Sequence, residues 1–175
     1  GAVVTGSDAA NRITGTASVD NISGGKGNDT IVTVSTNANS DVMDGGAGTG
    51  DTLEISTGTG TFATDANLVN VENVTVTAGT TVVLTGQTED FTITEATAGA
   101  QTITGGAGND TITVGAVTDA GIDTIHFGAT AAANGVDTVT GLQDGEDGDN
   151  DVCDTSSFDR EEANTLSTRQ STCFN

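Results

Sequence analysis

The sequence predicts an all-β fold in which short strands stack into a parallel solenoid, and three observations support this prediction. A nine-residue pattern recurs in register near the start of the chain. Short runs of β-branched residues, which favour strands, lie between its later copies. The 175 residues include 34 threonines and no proline, so no residue that breaks strand pairing is present.

The repeats begin with three consecutive nonamers, at residues 6–14, 15–23 and 24–32. In each nonamer the first residue is glycine, the sixth is Asp or Asn, and the eighth is isoleucine. The third nonamer recurs almost letter for letter at 105–113, and with one inserted residue at 45–53. Because the first, sixth and eighth positions agree over several copies, the pattern is a true repeat in which each copy forms one structural unit.

Glycine, aspartate and isoleucine have different roles in such a unit. Glycines permit the cramped or left-handed backbone that lets carbonyl groups point toward an ion, and the Asp carboxylate supplies a hard anionic oxygen. The apolar eighth residue points inward. The alternative is that Gly-Asn-Asp only forms tight turns, as these residues commonly do.

The nonamers resemble the calcium-binding repeat of the RTX (repeats-in-toxin) family of secreted bacterial proteins, G-G-x-G-x-D-x-U-x, where U is a large apolar residue. The copies at 24–32 and 105–113 match this pattern fully, whereas the first two nonamers lack the second and fourth glycines. The resemblance implies a right-handed parallel β-solenoid, of the β-roll or β-helix kind. In it, the first six residues of each copy form a calcium-binding turn and the last three form a strand.

The resemblance also implies Ca²⁺ as the bound cofactor and assigns its ligands. In the full and interrupted copies these are Asp carboxylates and glycine carbonyls of the turns: Asp20, Gly24, Gly25, Gly27, Asp29, Gly45, Gly46, Gly48, Asp51, Gly105, Gly106, Gly108 and Asp110. Weaker echoes of the repeat add Asp123 and Asp137. Asp147 and Asp149, in the acidic stretch 144–151, form either a further calcium site or a solvated loop.

The family places each ion between turns that lie two repeats apart. The turn of Asp29 is therefore expected to face the turn of Asn11 and not that of Asp20. Asn11 stands where the pattern expects an acid. We expect an ion between these turns to bind more weakly, unless Asp8 replaces the missing carboxylate.

The charge of the chain is strongly unbalanced. Four lysine and arginine residues against 25 acidic residues give a formal net charge of −21 at pH 7. Nucleic acid is excluded as a partner because its phosphates require a basic surface, and anionic membrane surfaces repel the chain in the same way. No apolar run approaches the roughly 20 residues of a membrane helix, so membrane insertion is not expected. Divalent cations are the natural source of charge neutralisation and folding energy.

The middle and the end of the chain depart from the repeat. Runs at 71–77, 81–85 and 91–94 predict further strands of the same solenoid. We expect the solenoid to cover residues 1–152 and an irregular or short helical cap to cover 153–175, with a possible helix over 160–167. Cys153 and Cys173 lie in this tail, either as one disulfide or as two free thiols.

Residues for enzymatic catalysis are scarce, and we expect no enzyme activity. The single histidine, His126, should alternate with an inward Ile125 and lie on the outer face. No Gly-x-Ser-x-Gly elbow or two-histidine zinc motif is present. A carboxylate-based enzyme that degrades extracellular polysaccharide stays open as an alternative. Five Phe with no Trp or Tyr argue against it, because sugar sites usually contain aromatic platforms.

Thr-x-Thr triplets suggest a different activity. They occur at 75–77, 92–94, 102–104, 111–113 and 138–140, and resemble the flat threonine arrays of some β-solenoid antifreeze proteins. Their irregular spacing along the sequence argues against ice binding. Threonine that flanks an inward apolar residue is also simply what a half-buried strand prefers.

The order of the copy at 45–53, the run at 70–77 and the copy at 105–113 resembles the repeat region of RTX-type S-layer proteins of Gram-negative bacteria. The predicted function is therefore a calcium-binding structural protein of a secreted bacterial surface layer or extracellular assembly. Calcium would control folding and self-association into a lattice or filament. An adhesin or ice-binding solenoid is the alternative binding function.

Overall fold

The computed structural model describes the solenoid and not the C-terminal tail. It describes residues 1–34, 40–77, 79–115, 121–127, 135–142 and, for the backbone alone, 152–154. Apart from one short 3-10 helix, Asp65–Asn67, the regular structure in these residues consists of short parallel strands, numbered β1 to β16 along the chain. The predicted all-β parallel solenoid is confirmed.

The longest of the three sheets, here called the long sheet, runs through most of the described chain. Its strands are β2 (Arg12–Thr14), β4 (Thr30–Thr33), β6 (Thr52–Ile55), β9 (Asn73–Val76), β11 (Thr92–Glu95), β13 (Thr111–Thr113) and β15 (Thr138–Thr140). They follow the order β15-β13-β11-β9-β6-β4-β2, so every second strand of the chain joins this sheet except between β6 and β9, where two strands intervene.

Two shorter sheets take up the other strands. The N-terminal sheet, in the order β1-β3-β5-β8, contains β1 (Val3–Thr5), β3 (Asn21–Ser23), β5 (Val42–Asp44) and β8 (Leu68–Val69). The C-terminal sheet, in the order β16-β14-β12-β10-β7, contains β7 (Thr59–Thr61), β10 (Thr81–Val83), β12 (Thr102–Thr104), β14 (Thr124–His126) and β16 (Val152–Asp154).

The core is a stack of apolar residues at the centres of the strands. In the long sheet each central residue pairs with its equivalent in the next coil, which places the eighth residue of every nonamer inside as predicted. The stack along this sheet consists of Ile13, Ile31, Leu53, Val74, Ile93, Ile112 and Val139. All except the half-buried Ile13 are at most 6 % exposed.

Extra residues enter the turns without disturbing the register. Asn11 and Asp29, at equivalent places one coil apart, are separated by 18 residues, the length of two nonamers. Asp110 and Asp137 are equally one coil apart but are separated by 27 residues. The strands before and after each pair remain in parallel register. Strand pairing is therefore maintained by stacking and not by a constant repeat length.

The coil over residues 52–69 contributes strands to all three sheets. β6 joins the long sheet, β7 starts the C-terminal sheet, and β8 ends the N-terminal sheet. The 3-10 helix Asp65–Asn67 links β7 to β8. The sheet that shares a core with the long sheet thus changes at this coil, and Phe62 fills the core there with no exposed surface.

The predicted strands in the middle of the chain are confirmed, as β9, β10 and β11. His126 follows the fully buried Ile125 and is partly exposed, as the predicted alternation requires. The possible helix over 160–167 and the pairing of Cys173 lie outside the described residues. No helix in the described part of the chain is long and apolar enough to cross a membrane.

Candidate metal-binding turns

Acidic residues stand immediately before many of the strands, where each turn enters the sheet. Burial of a carboxylate is costly unless partners compensate it. Even so, these acids are almost fully enclosed, with exposed fractions of 0 to 5 %. The set comprises Asp20, Asp29, Asp41, Asp51, Asp110, Asp123 and Asp137.

The first compensation is a hydrogen bond to the preceding coil. The Asp29 Oδ1 atom accepts a hydrogen bond from the backbone N–H of Asn11 at 2.7 Å, and Asp51 Oδ1 accepts one from Asp29 N–H at 2.6 Å. Glu72 Oε2 continues the series by accepting from Asp51 N–H at 2.9 Å. We call this arrangement the carboxylate ladder. It confirms that the turn of Asp29 faces that of Asn11.

The same ladder occurs elsewhere in the solenoid. Asp110 and Asp137 accept the backbone N–H groups of Phe91 and Asp110, at 2.9 and 2.8 Å. On the opposite turns, Oδ1 atoms of three acids accept the amide one coil earlier: Asp20 from Ala2, Asp41 from Asp20, and Asp123 from Gln101.

Sequence reasoning missed two members of the ladder, Asp41 and Glu72. Neither lies in a glycine-rich turn, so the nonamer pattern does not select them. The available signal was local: each is an acid that directly precedes a short run of strand-forming residues.

The second carboxylate oxygen distinguishes the turns from one another. The Oδ2 atoms of Asp29, Asp41 and Asp51 are buried and accept no hydrogen bond. A buried anionic oxygen without a donor is strongly unfavourable, and a bound cation is the usual remedy. Each of these three oxygens is therefore a place where the chain fits a positive ion.

The glycines around Asp29 and Asp51 leave room for other oxygens to approach. A Cβ atom on Gly24 would stand 2.4 Å from Asp29 Oδ2 and 2.4 Å from the Gly45 carbonyl oxygen. A Cβ atom on Gly48 would stand 2.7 Å from Asp51 Oδ2 and 2.4 Å from the carbonyl oxygen of Gly27. In both places a carboxylate and a carbonyl of the adjacent turn border one space, which is the oxygen chemistry that Ca²⁺ prefers.

The backbone of these turns depends on glycine. Gly25, Gly27 and Gly46 have φ values of 107°, 99° and 98°, in the region that other residues rarely adopt. The turns also bond to each other directly, because Ala47 N–H donates to the Gly25 carbonyl at 2.7 Å and Gly27 N–H donates to the Ala47 carbonyl at 3.0 Å. The two turns thus form one rigid stacked unit.

Side chains alone do not form a metal site in the described part of the chain. No three Asp, Glu, His or Cys side chains there are grouped closely enough to hold an ion. An ion at these turns would need backbone carbonyls to complete its coordination, in keeping with the glycine content of the turns.

The repeat at 105–110 is built differently. Asp110 has both oxygens engaged, since Oδ2 accepts a hydrogen bond from Gly106 N–H at 3.3 Å while Oδ1 binds Phe91 N–H. Among the described residues, a Cβ atom on Gly105 would meet only Asp110 Oδ2, at 3.0 Å. Neither Gly106 nor Gly108 has a positive φ. In the described part of the chain, this turn therefore lacks an unpartnered oxygen on Asp110 and a carbonyl that approaches Asp110 Oδ2 as the Gly45 carbonyl approaches Asp29 Oδ2.

Burial shifts the acidity of several of these groups. It raises the pKa of Asp51, and the nearby charges of Glu72, Asp29 and Asp44 act in the same direction. Burial likewise raises the pKa values of Asp41 and Asp110.

Asp20 behaves in the opposite way. Its burial favours a higher pKa, but hydrogen bonds from Ala2 N–H and from the Thr16 backbone and hydroxyl stabilise the charged form. The net effect is a pKa below the ordinary value for Asp. Asp20 is thus held as an anion by the protein itself.

Other predicted residues have less direct roles. Asp8, suggested as a substitute ligand beside Asn11, forms an exposed ion pair with Lys26, with 2.7 Å between Oδ2 and Nζ. Asn11 Oδ1 accepts the N–H of Ser7 within its own turn at 2.6 Å. Asp147 and Asp149 lie outside the described residues.

Comparison with known proteins agrees with this geometry. A family model described as the RTX calcium-binding nonapeptide repeat (4 copies) matches residues 5–33 and 95–116. Neither a curated protein nor a solved structure matches the chain. RTX nonapeptide repeats bind Ca²⁺, occur in secreted extracellular bacterial proteins, and are typically structural or associated with toxins. The chain thus carries RTX calcium-binding repeats within a parallel β-solenoid.

Proposed function

We propose that the protein is a calcium-dependent structural module of a secreted bacterial surface layer or extracellular assembly. The observation that carries this proposal is the pair of buried, unpartnered carboxylate oxygens on Asp29 and Asp51, each beside a glycine carbonyl of the adjacent turn. Catalysis requires reactive groups that reach a substrate, whereas these carboxylates are enclosed and bonded to the backbone.

The proposed calcium ligands follow from the same contacts. Asp29 Oδ2 with the Gly45 carbonyl, and Asp51 Oδ2 with the Gly27 carbonyl, would hold ions within the stack formed by residues 24–29 and 45–51. Bound Ca²⁺ supplies positive charge and coordination energy to turns that the protein alone leaves uncompensated. Asp20, Asp123 and Asp137 occupy equivalent ladder positions, and we retain them as weaker candidates.

Net charge makes calcium a control on folding. At −21 the extended chain repels itself, and the four basic residues cannot offset 25 acids. In the described residues two of those basic residues are engaged in ion pairs, Arg12 with Glu54 and Lys26 with Asp8. Because each coil contacts only its neighbours, occupation of a few turns favours the adjacent coils and closure is cooperative.

Self-association and location complete the proposal. Millimolar calcium outside a Gram-negative cell would order the solenoid after export, and ordered copies would then assemble. RTX repeats in a solenoid are consistent with a calcium-binding extracellular protein. We also propose that the solenoid ends near residue 152 and that 153–175 cap it, although β16 extends to Asp154.

The test is far-UV circular dichroism with sedimentation velocity, first in EDTA and then across a calcium titration. Magnesium and concentrated KCl serve as controls for nonspecific charge screening. We expect a cooperative gain of β signal that only calcium produces, followed by growth into large assemblies. A chain already folded in EDTA and indifferent to calcium would contradict the proposal.

A matched pair of variants assigns the effect to the turns. Asp29→Asn removes the unpartnered anionic oxygen, whereas Asp65→Asn removes one exposed negative charge from the 3-10 helix. We expect the first variant to need more calcium to fold and the second to behave as the parent. An equal shift in both would indicate general charge neutralisation instead of a specific site.

A further inference from the structure

Six exposed threonines form the outer surface of three neighbouring strands of the long sheet. They are Thr92 and Thr94 on β11, Thr111 and Thr113 on β13, and Thr138 and Thr140 on β15. We call this surface the threonine face. The residue between each pair, Ile93, Ile112 or Val139, is buried in the core.

The threonines are arranged in two straight columns. Thr92, Thr111 and Thr138 pair in one register column, and Thr94, Thr113 and Thr140 pair in the other. Strand geometry spaces neighbours about 4.8 Å apart within a column and about 6.7 Å apart between columns. The hydroxyl oxygens of Thr113 and Thr140 lie 3.2 Å apart, so neighbouring side chains share a hydrogen bond along the column.

The strand register shows why the irregular spacing of the Thr-x-Thr triplets along the sequence does not count against ice binding. The triplet at 102–104 lies between two of these triplets along the chain, but it belongs to the C-terminal sheet. It is therefore not part of the threonine face. Thr111 and Thr138 are 27 positions apart in the sequence, yet their strands pair without displacement. Three of the five triplets, at 92–94, 111–113 and 138–140, are therefore regular in space, whereas the triplet at 75–77 is out of register because Asn73 pairs with Thr92 and Thr75 with Thr94.

The threonine face carries no charge, although the chain has a net charge of −21. Asp110 and Asp137, which precede two of its strands, are buried, whereas Asp90, two residues before Thr92, is an exposed acid at the border of the face. Glu95, at the end of β11, alternates to the inner side and accepts a hydrogen bond from Gly115 N–H. The other end of the same sheet is charged, because Arg12 and Glu54 form a two-point ion pair across it at 2.8 Å.

We propose that the threonine face binds ice. Each threonine presents one methyl group and one hydroxyl group, and its β-branched side chain has few rotamers. A regular grid of such groups can hold water molecules at repeating positions that continue into a crystal surface. A charged side chain would instead orient water around itself, which explains why this face excludes acids in so acidic a chain.

A protein partner and a crystalline glycan fit the threonine face less well than ice does. The grid covers on the order of 200 Å² by strand geometry, far below the roughly 800 Å² per partner of a stable protein interface. A crystalline glycan would need aromatic platforms, and Phe62, Phe91 and Phe127 are buried in the core.

Thermal hysteresis and inhibition of ice recrystallisation test this proposal, with the full chain at saturating calcium. The informative pair is Thr113→Lys, at the centre of the threonine face, and Thr14→Lys, an exposed threonine on the charged edge of the same sheet. We expect the parent and Thr14→Lys to be active and Thr113→Lys to lose most of that activity. Circular dichroism must show that both variants are folded.

A second variant covers the case in which Thr113→Lys does not fold. Thr113→Ser with Thr140→Ser keeps both hydroxyls and removes two methyl groups, and we expect a partial loss of activity. A folded, calcium-loaded parent that neither shapes nor slows ice growth would overturn the proposal. Equal losses in the Thr113 and Thr14 variants would also overturn it. So would an effect of Thr113→Lys on sedimentation alone, which would make the face an interface between copies.

Discussion

Two copies of the repeat, at residues 24–29 and 105–110, differ by one letter and yet are built differently. The first spells Gly-Gly-Lys-Gly-Asn-Asp and the second Gly-Gly-Ala-Gly-Asn-Asp. In the first, Asp29 has a buried oxygen with no hydrogen-bond donor. In the second, both oxygens of Asp110 accept backbone hydrogen bonds.

Part of the difference lies in the described neighbours of each copy. The first copy is followed by another glycine-rich turn, at 45–51, whose Gly45 carbonyl approaches Asp29. For the second copy the described neighbour is the preceding coil, where residues 84–91 carry no repeat and Gly108 packs against the Glu89 carbonyl; residues 128–134 of the following coil lie outside the described residues. The environment of the Asp29 turn therefore depends on two adjacent coils and not on its nonamer alone.

The most severe loss of stability is expected when alanine replaces the first glycine of each copy, because the two glycines are packed differently. Gly24→Ala would place a Cβ atom 2.4 Å from the Gly45 carbonyl oxygen, whereas the same atom on Gly105 would meet, among the described residues, only Asp110 Oδ2, at 3.0 Å. We expect Gly24→Ala to lower the free energy of unfolding by about 1–3 kcal/mol, as overpacking does, and Gly105→Ala to cost less. Urea denaturation of both variants at saturating calcium checks this, and equal losses would contradict it.

The next effect concerns calcium affinity. Asp29→Asn should raise the calcium concentration at the folding midpoint by about tenfold, or about 1.4 kcal/mol, because it removes an anionic oxygen that has no other partner. Asp110→Asn should shift that midpoint much less, since both oxygens already accept hydrogen bonds. Calcium titrations followed by circular dichroism measure both shifts. A larger shift for Asp110→Asn would reverse the assignment of the two copies.

A smaller effect is the response to pH. Folding raises the pKa values of Asp41, Asp51 and Asp110, so the folded state binds these protons more tightly than the unfolded state. In EDTA, stability should therefore rise as pH falls from 7 toward the ordinary Asp value, by at most about 1.4 kcal/mol per pH unit for each group. Asp20, with its lowered pKa, opposes this only below about pH 4.

Calcium should reverse this dependence, because protons compete with the ion for the same carboxylates. The folded fraction, followed by far-UV circular dichroism between pH 5 and 7 in EDTA and at a calcium concentration near the folding midpoint, tests the sign. Asp41→Asn should make the change of stability with pH in EDTA smaller, because it removes one group with a raised pKa. A slope of the same sign in both conditions would show that the raised pKa values are unrelated to ion binding.

The smallest effect tests the single letter that distinguishes the two copies. Lys26→Ala makes the first copy identical to the second and removes an exposed ion pair with Asp8. Exposed pairs contribute about 0–1 kcal/mol, so stability should change little and the calcium midpoint should stay the same. A large shift of that midpoint would show that the lysine, and not the neighbouring coil, makes the copies differ.

Much of the fold could be predicted from sequence because its chemistry is local. Glycines and Asp29 define a turn, Ile31 defines the inward position of the following strand, and the same reasoning applies to Asp110 and Ile112. The Asn11 and Asp29 turns were also matched correctly, since the family rule of two repeats per coil holds where the nonamers are uninterrupted.

The sheet change at residues 52–69 and the roles of Asp41 and Glu72 could not be predicted. Each depends on contacts with a coil about 20 residues away along the chain. Insertions of varying length in the turns prevent the sequence from showing which residues of neighbouring coils pair.

The composition of the turns, the inward apolar column and the chemistry of the candidate ligands can be read from the amino-acid sequence, because each depends on residues within one nonamer. Which Asp keeps an unpartnered oxygen, and which threonines form a regular surface, is visible in the folded protein alone. Those properties depend on which coils stack, and stacking absorbs extra residues into turns while it keeps the strands in register. Asp29 and Asp110 therefore share a motif but not an environment.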